Sequence, residues 1–289
     1  MSRLFALAAC FVAALALPAK GTETFDRLLT PEALAAAEDV VILDIRAPKD
    51  FAAGHVSGAR NVPYPGWRGP KTNPGELISE ERLTALLQKA GVTPESRVVV
   101  ANEGDSPSAF GATARVYWTL KSAGLTEIAI LNGGVTAWSK AGLPLTQNVA
   151  LAAPSDAEFE LSEAWVVDRA GVEAVIAGDS DAILIDARPD VFFKGGKKHP
   201  AARLPGTLRS AVNLLHESFF GKNGQMSEDP EYVLSLAREA GWTPGKTVVS
   251  FCNTGHWAAS NWFALSEVAG IEDVRLYPES MVGWHQAGS

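Results

Sequence analysis

Two stretches of this chain, about 150 residues apart, carry the same local signals in the same order. The apolar run Val40–Asp44 (VVILD), followed by Arg46, returns as Ile183–Asp186 (ILID), followed by Arg188. Thr93-Pro94 ahead of Val98–Ala101 returns as Thr243-Pro244 ahead of Val248–Phe251, at an offset of 150 with no gap. Further along, Gly124 and Trp138 return as Gly270 and Trp284 at an offset of 146. Solenoid repeats run to roughly 20–50 residues, so a period this long means a duplicated domain. Each copy alternates short continuous apolar runs, suited to strands buried on both faces, with amphipathic stretches. Helices are expected from the Thr30 cap and Pro31 to about Ala37, over Glu80–Ala90, about Gly111–Ala123 and Pro230–Ala240, and after Cys252 to about Val268. Ile128–Leu131 is a further expected strand. The chain should therefore be α/β, with two tandem units, each a mainly parallel sheet flanked by helices. A length of 289 residues with 47% hydrophobic content supports two packed cores. A net charge of −8 excludes the basic footprint of a nucleic-acid-binding protein.

Ahead of the first copy, Met1–Lys20 has Arg3, an apolar run from Leu4 to Leu17, then small residues and a proline. This is the layout of a secretory signal peptide, and the run falls short of the ~17–25 residues that cross a bilayer. The expected organisation is a signal peptide over 1–21, a first domain over 24–147, a linker over 148–162 rich in Ala, Pro, Ser and Asp, and a second domain over 163–289. The mature protein should be exported, periplasmic or secreted, with no membrane association once the leader is gone. Cys10 leaves with the leader, so Cys252 becomes the only thiol. A disulfide framework and a four-cysteine zinc site are excluded, and no metal or organic cofactor is implied. A leftover cysteine in an exported chain is a reactive thiol, an intermolecular bridge or an inert core residue.

Position favours the reactive thiol. Cys252 ends the apolar run Val248–Phe251 and opens the segment Cys252-Asn253-Thr254-Gly255-His256-Trp257-Ala258, after which a helix is expected. Open α/β sheets bind ligands beyond the carboxyl ends of their strands. A loop entering a helix there aims several backbone N–H groups at one point, which favours an anion such as a thiolate. The first copy has Asn102 at this place. His256 reads either as a group that charges near pH 6–7 or as a packed ring. Arg46 and Arg188 read as ion-pair partners of nearby carboxylates. A cysteine phosphatase needs an arginine six residues past the nucleophile, to grip a phosphoryl group through two N–H bonds, and Ala258 stands there. A thiol–disulfide oxidoreductase needs a second, resolving cysteine, which this sequence lacks.

The pattern Leu43-Asp44-x-Arg46, Asp50-Phe51-x-x-Gly54-His55-Val56-x-Gly58-Ala59-x-Asn61-Val62-Pro63, closed by Gly133-Gly134-x-x-x-Trp138, resembles a rhodanese domain. The second copy resembles it through Asp186-x-Arg188, Leu204-Pro205-Gly206, Ala211-Val212-Asn213 and the cysteine loop. The whole is similar to tandem-domain sulfurtransferases of the thiosulfate or 3-mercaptopyruvate type, in which the second domain is catalytic and the first has lost its cysteine. The resemblance implies that the Cys252 thiolate takes the outer sulfur of a small donor as a persulfide and passes it to a thiophilic acceptor, either a small molecule or a partner protein. It also implies that the backbone of Asn253, Thr254, Gly255, His256, Trp257 and Ala258, with Arg188 nearby, holds the substrate. The alternative is a non-catalytic persulfide carrier or binding module serving a partner protein. The chain departs from the family in two ways. Thiosulfate-type loops carry cations where Asn253 and Thr254 stand, and the usual arginine after the second domain's first strand is replaced near Phe192-Phe193. Arg188, or the ten-residue insertion beginning at Lys194 with Lys197, Lys198 and His199, is the expected source of positive charge.

Overall fold

The computed structural model describes residues 25–286, so the expected signal peptide lies outside the described residues. The first copy runs β1 (Leu28–Leu29), α1 (Pro31–Ala36), β2 (Val40–Asp44), α2 (Pro48–Ala53), β3 (Arg60–Asn61), α3 (Glu80–Lys89), β4 (Arg97–Ala101), α4 (Pro107–Ser122), β5 (Ile128–Leu131) and α5 (Gly134–Lys140). The second runs α6 (Arg169–Ala177), β6 (Ile183–Asp186), α7 (Asp190–Phe193), β7 (Val212–Asn213), α8 (Pro230–Glu239), β8 (Val248–Phe251), α9 (Trp257–Phe263), β9 (Val274–Leu276) and α10 (Ser280–Gln286). Every strand pairing within the two sheets is parallel, in the orders β1-β5-β4-β2-β3 and β7-β6-β8-β9. A parallel bridge from Val166 to Leu276 takes the place of β1 in the second sheet. The strand orders of the two copies therefore coincide, as the duplication requires.

The copies also agree at the level of single hydrogen bonds. In the first, Asn61 Nδ2 donates to the carbonyls of Asp44 (3.0 Å) and Arg46 (2.9 Å). In the second, Asn213 Nδ2 donates to those of Asp186 and Arg188, both at 2.8 Å. The buried Asp44–Arg46 and Asp186–Arg188 ion pairs both close at 2.7 Å.

The expected strands fall where the apolar runs lie. α4 begins four residues earlier than periodicity suggests, because Ser106 caps it, accepting from the Ala109 amide at 3.2 Å, with Pro107 in the first turn. Twelve of its sixteen residues are buried. A helix buried nearly all round lies between packed layers, and α4 runs between the domains. Phe110 and Tyr117 meet Phe263 of α9 edge-on at 5.4 and 5.0 Å. The α9 helix reaches Val268 only through a widened π turn, Ala264–Val268. Glu267 on that turn is buried and takes hydrogen bonds from Tyr117, Lys121 and Arg27 of the first domain at 2.6–2.7 Å. Among the described residues no helix is long and apolar enough to cross a membrane.

Candidate active site

β8 is an inner strand of the second sheet, all four of its residues are buried, and Cys252 follows at its carboxyl end with 1% exposure. The base of the loop hangs on Ser280. Its Oγ accepts from the amides of Cys252 and Gly255, both at 3.0 Å, and donates to the Tyr277 carbonyl at 2.9 Å. Ser280 makes these bonds from a left-handed backbone (φ 53°), which costs a residue with a Cβ about 1–2 kcal/mol. The amides of Met281 and Val282 complete the base, donating to the carbonyls of Cys252 (3.1 Å) and Asn253 (3.0 Å). Among the described residues, the amides of Asn253, Thr254, His256, Trp257 and Ala258 meet no acceptor. Backbone donors left open after a cysteine are available to an anion. The Gly255 amide, expected in that set, is taken by Ser280.

The opposite side of the loop is clasped by the first domain. Arg68 donates to the Thr254 carbonyl at 2.6 Å, and Arg115, on α4, to that of Gly255 at 3.3 Å. His256 is held at both ring nitrogens: Nδ1 lies 2.9 Å from the Tyr64 hydroxyl and Nε2 lies 2.8 Å from the Ser108 carbonyl. A carbonyl only accepts, so Nε2 carries the proton and Nδ1 accepts from Tyr64, whose oxygen accepts in turn from Arg68 at 3.0 Å. Burial, with Arg68 adding repulsion, pushes the imidazole pKa down to about 3. The reading of His256 as a group charging near pH 6–7 is thereby corrected: the ring is neutral there. Trp257 stacks on His216 (4.8 Å between ring centres), meets Phe192 edge-on at 6.0 Å and donates to Ser108 Oγ at 3.2 Å.

A profile for the rhodanese-like domain matches residues 30–141 and 172–287. The chain belongs to the rhodanese family. This rhodanese is 31% identical over 254 residues to a putative thiosulfate sulfurtransferase of Synechococcus elongatus, covering 83% of this chain and 75% of the relative. It is 28% identical to a probable 3-mercaptopyruvate sulfurtransferase of Pseudomonas aeruginosa, covering 89% of this chain and 94% of the relative. Against the sulfur carrier protein TtuD of Thermus thermophilus the identity is 25%, over 86% and 85% of the two chains. An anaerobic ergothioneine biosynthesis enzyme from Chlorobium limicola, 18% identical, shares the fold with a TM-score of 0.79, over 91% of this chain and 68% of that one.

Arg188 of this rhodanese is not a free cation. Its guanidinium is committed to Asp186 and to the Gly206 carbonyl, and it reaches the loop only through Asn253 Oδ1 at 3.3 Å. The cations of the insertion are also engaged. Lys194 pairs with Asp190, Lys197 sits over the Phe192 ring, and Lys198 donates to the Ala202 carbonyl. Sequence reasoning missed Tyr64, Arg68, Ser108, Arg115 and Ser280. One signal was available for Arg115, a charge in the middle of a helix whose other charge, Lys121, lies in its last turn. Another was available for Ser280, which aligns at the 146 offset with Gly134, left-handed at φ 56°.

Proposed function

We propose that this chain is a sulfurtransferase that carries sulfane sulfur on Cys252. The Cys252 thiolate attacks the terminal sulfur of a donor such as thiosulfate. The donor S–S bond breaks, sulfite leaves with the bonding pair, and a cysteine persulfide anion remains. A thiophilic acceptor then attacks the outer sulfur and the thiolate returns, so no external oxidant or reductant is needed. Splitting the transfer into two displacements is covalent catalysis, and the unclaimed amides after Cys252 suit the persulfide's charge. That cysteine and the open amides after it are the observation that carries the reading, and the relatives' names agree with it. The donor is thiosulfate or 3-mercaptopyruvate. The neutral loop residues Asn253, Thr254 and Gly255 lean towards the latter. The N-terminal leader supports export to the periplasm or the medium.

The test is intact mass of wild type and Cys252→Ser after incubation with thiosulfate, or separately with 3-mercaptopyruvate, followed by cyanide. One sulfur gained by wild type alone, and lost on adding cyanide, is the expected result and names the donor. No gain on a reduced, alkylatable Cys252 refutes the small-donor reading. The carrier reading, supported by the likeness to a sulfur carrier protein, predicts a persulfide with little steady-state turnover to cyanide or small thiols.

A further inference from the structure

The cysteine loop from Cys252 to Ala258 contains no lysine or arginine, and its histidine is neutral. Yet two guanidinium groups lie buried behind it. Arg115 is 1% exposed and Arg68 is 8% exposed, and both belong to the domain that lacks the cysteine. Long charged side chains are almost never this buried unless paired. Arg46 and Arg188 have Asp44 and Asp186. Arg68 and Arg115 make their hydrogen bonds to a phenol and to backbone carbonyls, with no carboxylate partner among the described residues. Arg115 Nε is buried with no acceptor at all. Burial, with Arg68 beside it, pushes the Arg115 guanidinium down to about 9, and the anionic forms of Tyr64 and Cys252 act in the opposite direction. Tyr64 is itself held neutral by burial, so the negative charge left to this pair of cations is the sulfur of Cys252. The loop is also shaped to admit Arg115. A Cβ on Gly255 would stand 2.3 Å from Arg115 Nη1 and from the Pro278 carbonyl oxygen.

We propose that Arg68 and Arg115 of the cysteine-less domain are positioning residues that supply the cationic field for the anionic sulfur of Cys252, in place of charges on the loop itself. The thiolate and the persulfide are their counter-ions. The second half of this statement rests on the sulfurtransferase reading; the first concerns the thiolate alone. Around the loop, three other ionisable groups are neutral or paired. Tyr64 and His256 are neutral, and Asp186 is held by Arg188. Burial and the neighbouring Glu76 raise the pKa of Glu279, at the neck of α10.

The test uses the full chain with Arg115→Met, Arg68→Met and Arg115→Lys. Methionine keeps the length and apolar contacts and removes the charge. Each methionine leaves buried carbonyls without the donor they had, so both Met variants should fold but unfold in urea somewhat below the wild-type midpoint. The pH profile of Cys252 alkylation by iodoacetamide should move up by about one unit in each, a roughly tenfold slower reaction at a fixed pH on the rising limb. Arg115→Lys, which keeps the charge, should move it less. Folded Met variants with the wild-type profile overturn the proposal. So does unfolding of both Met variants, which would make the two arginines struts. Sulfur loading of the wild type from thiosulfate and from 3-mercaptopyruvate is read separately. If the profile moves but no sulfur is taken up, the field stands and the transfer reading fails.

Discussion

The strained residue at the base of the loop sets up a prediction in which glycine outperforms alanine. Ser280 Oγ is the acceptor for the buried amides of Cys252 and Gly255. Ser280→Ala and Ser280→Gly both remove it, and each buried donor left without a partner costs about 1–3 kcal/mol. The two variants differ in the backbone. At φ 53° alanine keeps the left-handed penalty, whereas glycine pays almost none. Gly134 in the first copy, at φ 56°, shows glycine adopting this conformation at the matching position. Ser280→Gly should therefore be more stable than Ser280→Ala by about 1 kcal/mol, against the ordinary helix-interior order. Urea unfolding of the two variants measures the difference as a shift in midpoint at unchanged slope. Both should load sulfur more slowly than wild type, by about ten- to a hundredfold with whichever of thiosulfate and 3-mercaptopyruvate loads the wild type, since misplacing preorganised donors costs rate and not only stability. An alanine variant as stable as the glycine variant would refute the strain argument. Loading at the wild-type rate in both would refute the role given to the hydroxyl.

Two further outcomes follow from the buried ionisable groups. His256 is depressed to about 3 by burial and by Arg68, so between that value and the ordinary ~6.5 the unfolded chain takes up a proton that the folded chain does not. Its contribution to stability is thus full above pH 6.5 and lost as the pH falls towards 3. His256→Gln should flatten that part of a stability–pH curve. For Glu267, burial alone would raise the carboxyl pKa, but Lys121, Tyr117 and Ser266 outweigh it and hold it below the usual range. Removing its charge in Glu267→Gln weakens the hydrogen bonds from Tyr117 and Lys121 at the domain interface, while half-exposed Arg27 keeps its water, and should cost about 1–2 kcal/mol in urea unfolding.

What was legible in the sequence was what neighbours in the chain determine. Val40–Asp44, Ile128–Leu131, Ile183–Asp186 and Val248–Phe251 read as strands because both faces of each are buried, leaving continuous apolar runs. β9 escaped because it is three residues long with Arg275 at its centre, and α10 because it begins on a strained serine. Cys252 was legible for the same local reason: it ends a buried strand and is followed by a loop and a helix. The clasp was not. Arg68 meets Thr254 across 186 residues, Arg115 meets Gly255 across 140, and Tyr64 meets His256 across 192. No periodicity reports contacts of that separation, because they exist only once two finished domains have packed through α4 and α9.

The duplication supplies an internal comparison that separates fold-keeping residues from chemistry-bearing ones. Where the copies agree, the agreement reaches single bonds: an aspartate ends the inner strand, an arginine two residues on closes onto it, and an asparagine bridges both carbonyls. That bracket is equally good with or without a thiol beside it, so it belongs to the fold. Where the copies differ, the cysteine loop bears costs that the first copy's loop avoids. Asn102 satisfies itself, donating to the Ala109 carbonyl and accepting from the Glu103 amide, whereas Cys252 Sγ, at the same place, makes no hydrogen bond among the described residues. Gly134 is relaxed where Ser280 is strained. Arg46, next to the cysteine-less loop, pairs with Asp44 and Glu103, and Arg188 with Asp186, but Arg68 and Arg115, which the first copy sends to the Cys252 loop, have no carboxylate among the described residues. Backbone strain and buried charge without a carboxylate each reduce stability, and in this chain both lie at the Cys252 loop. Stability alone accounts for neither, so the strained serine under the Cys252 loop and the guanidiniums against it mark that loop as the site.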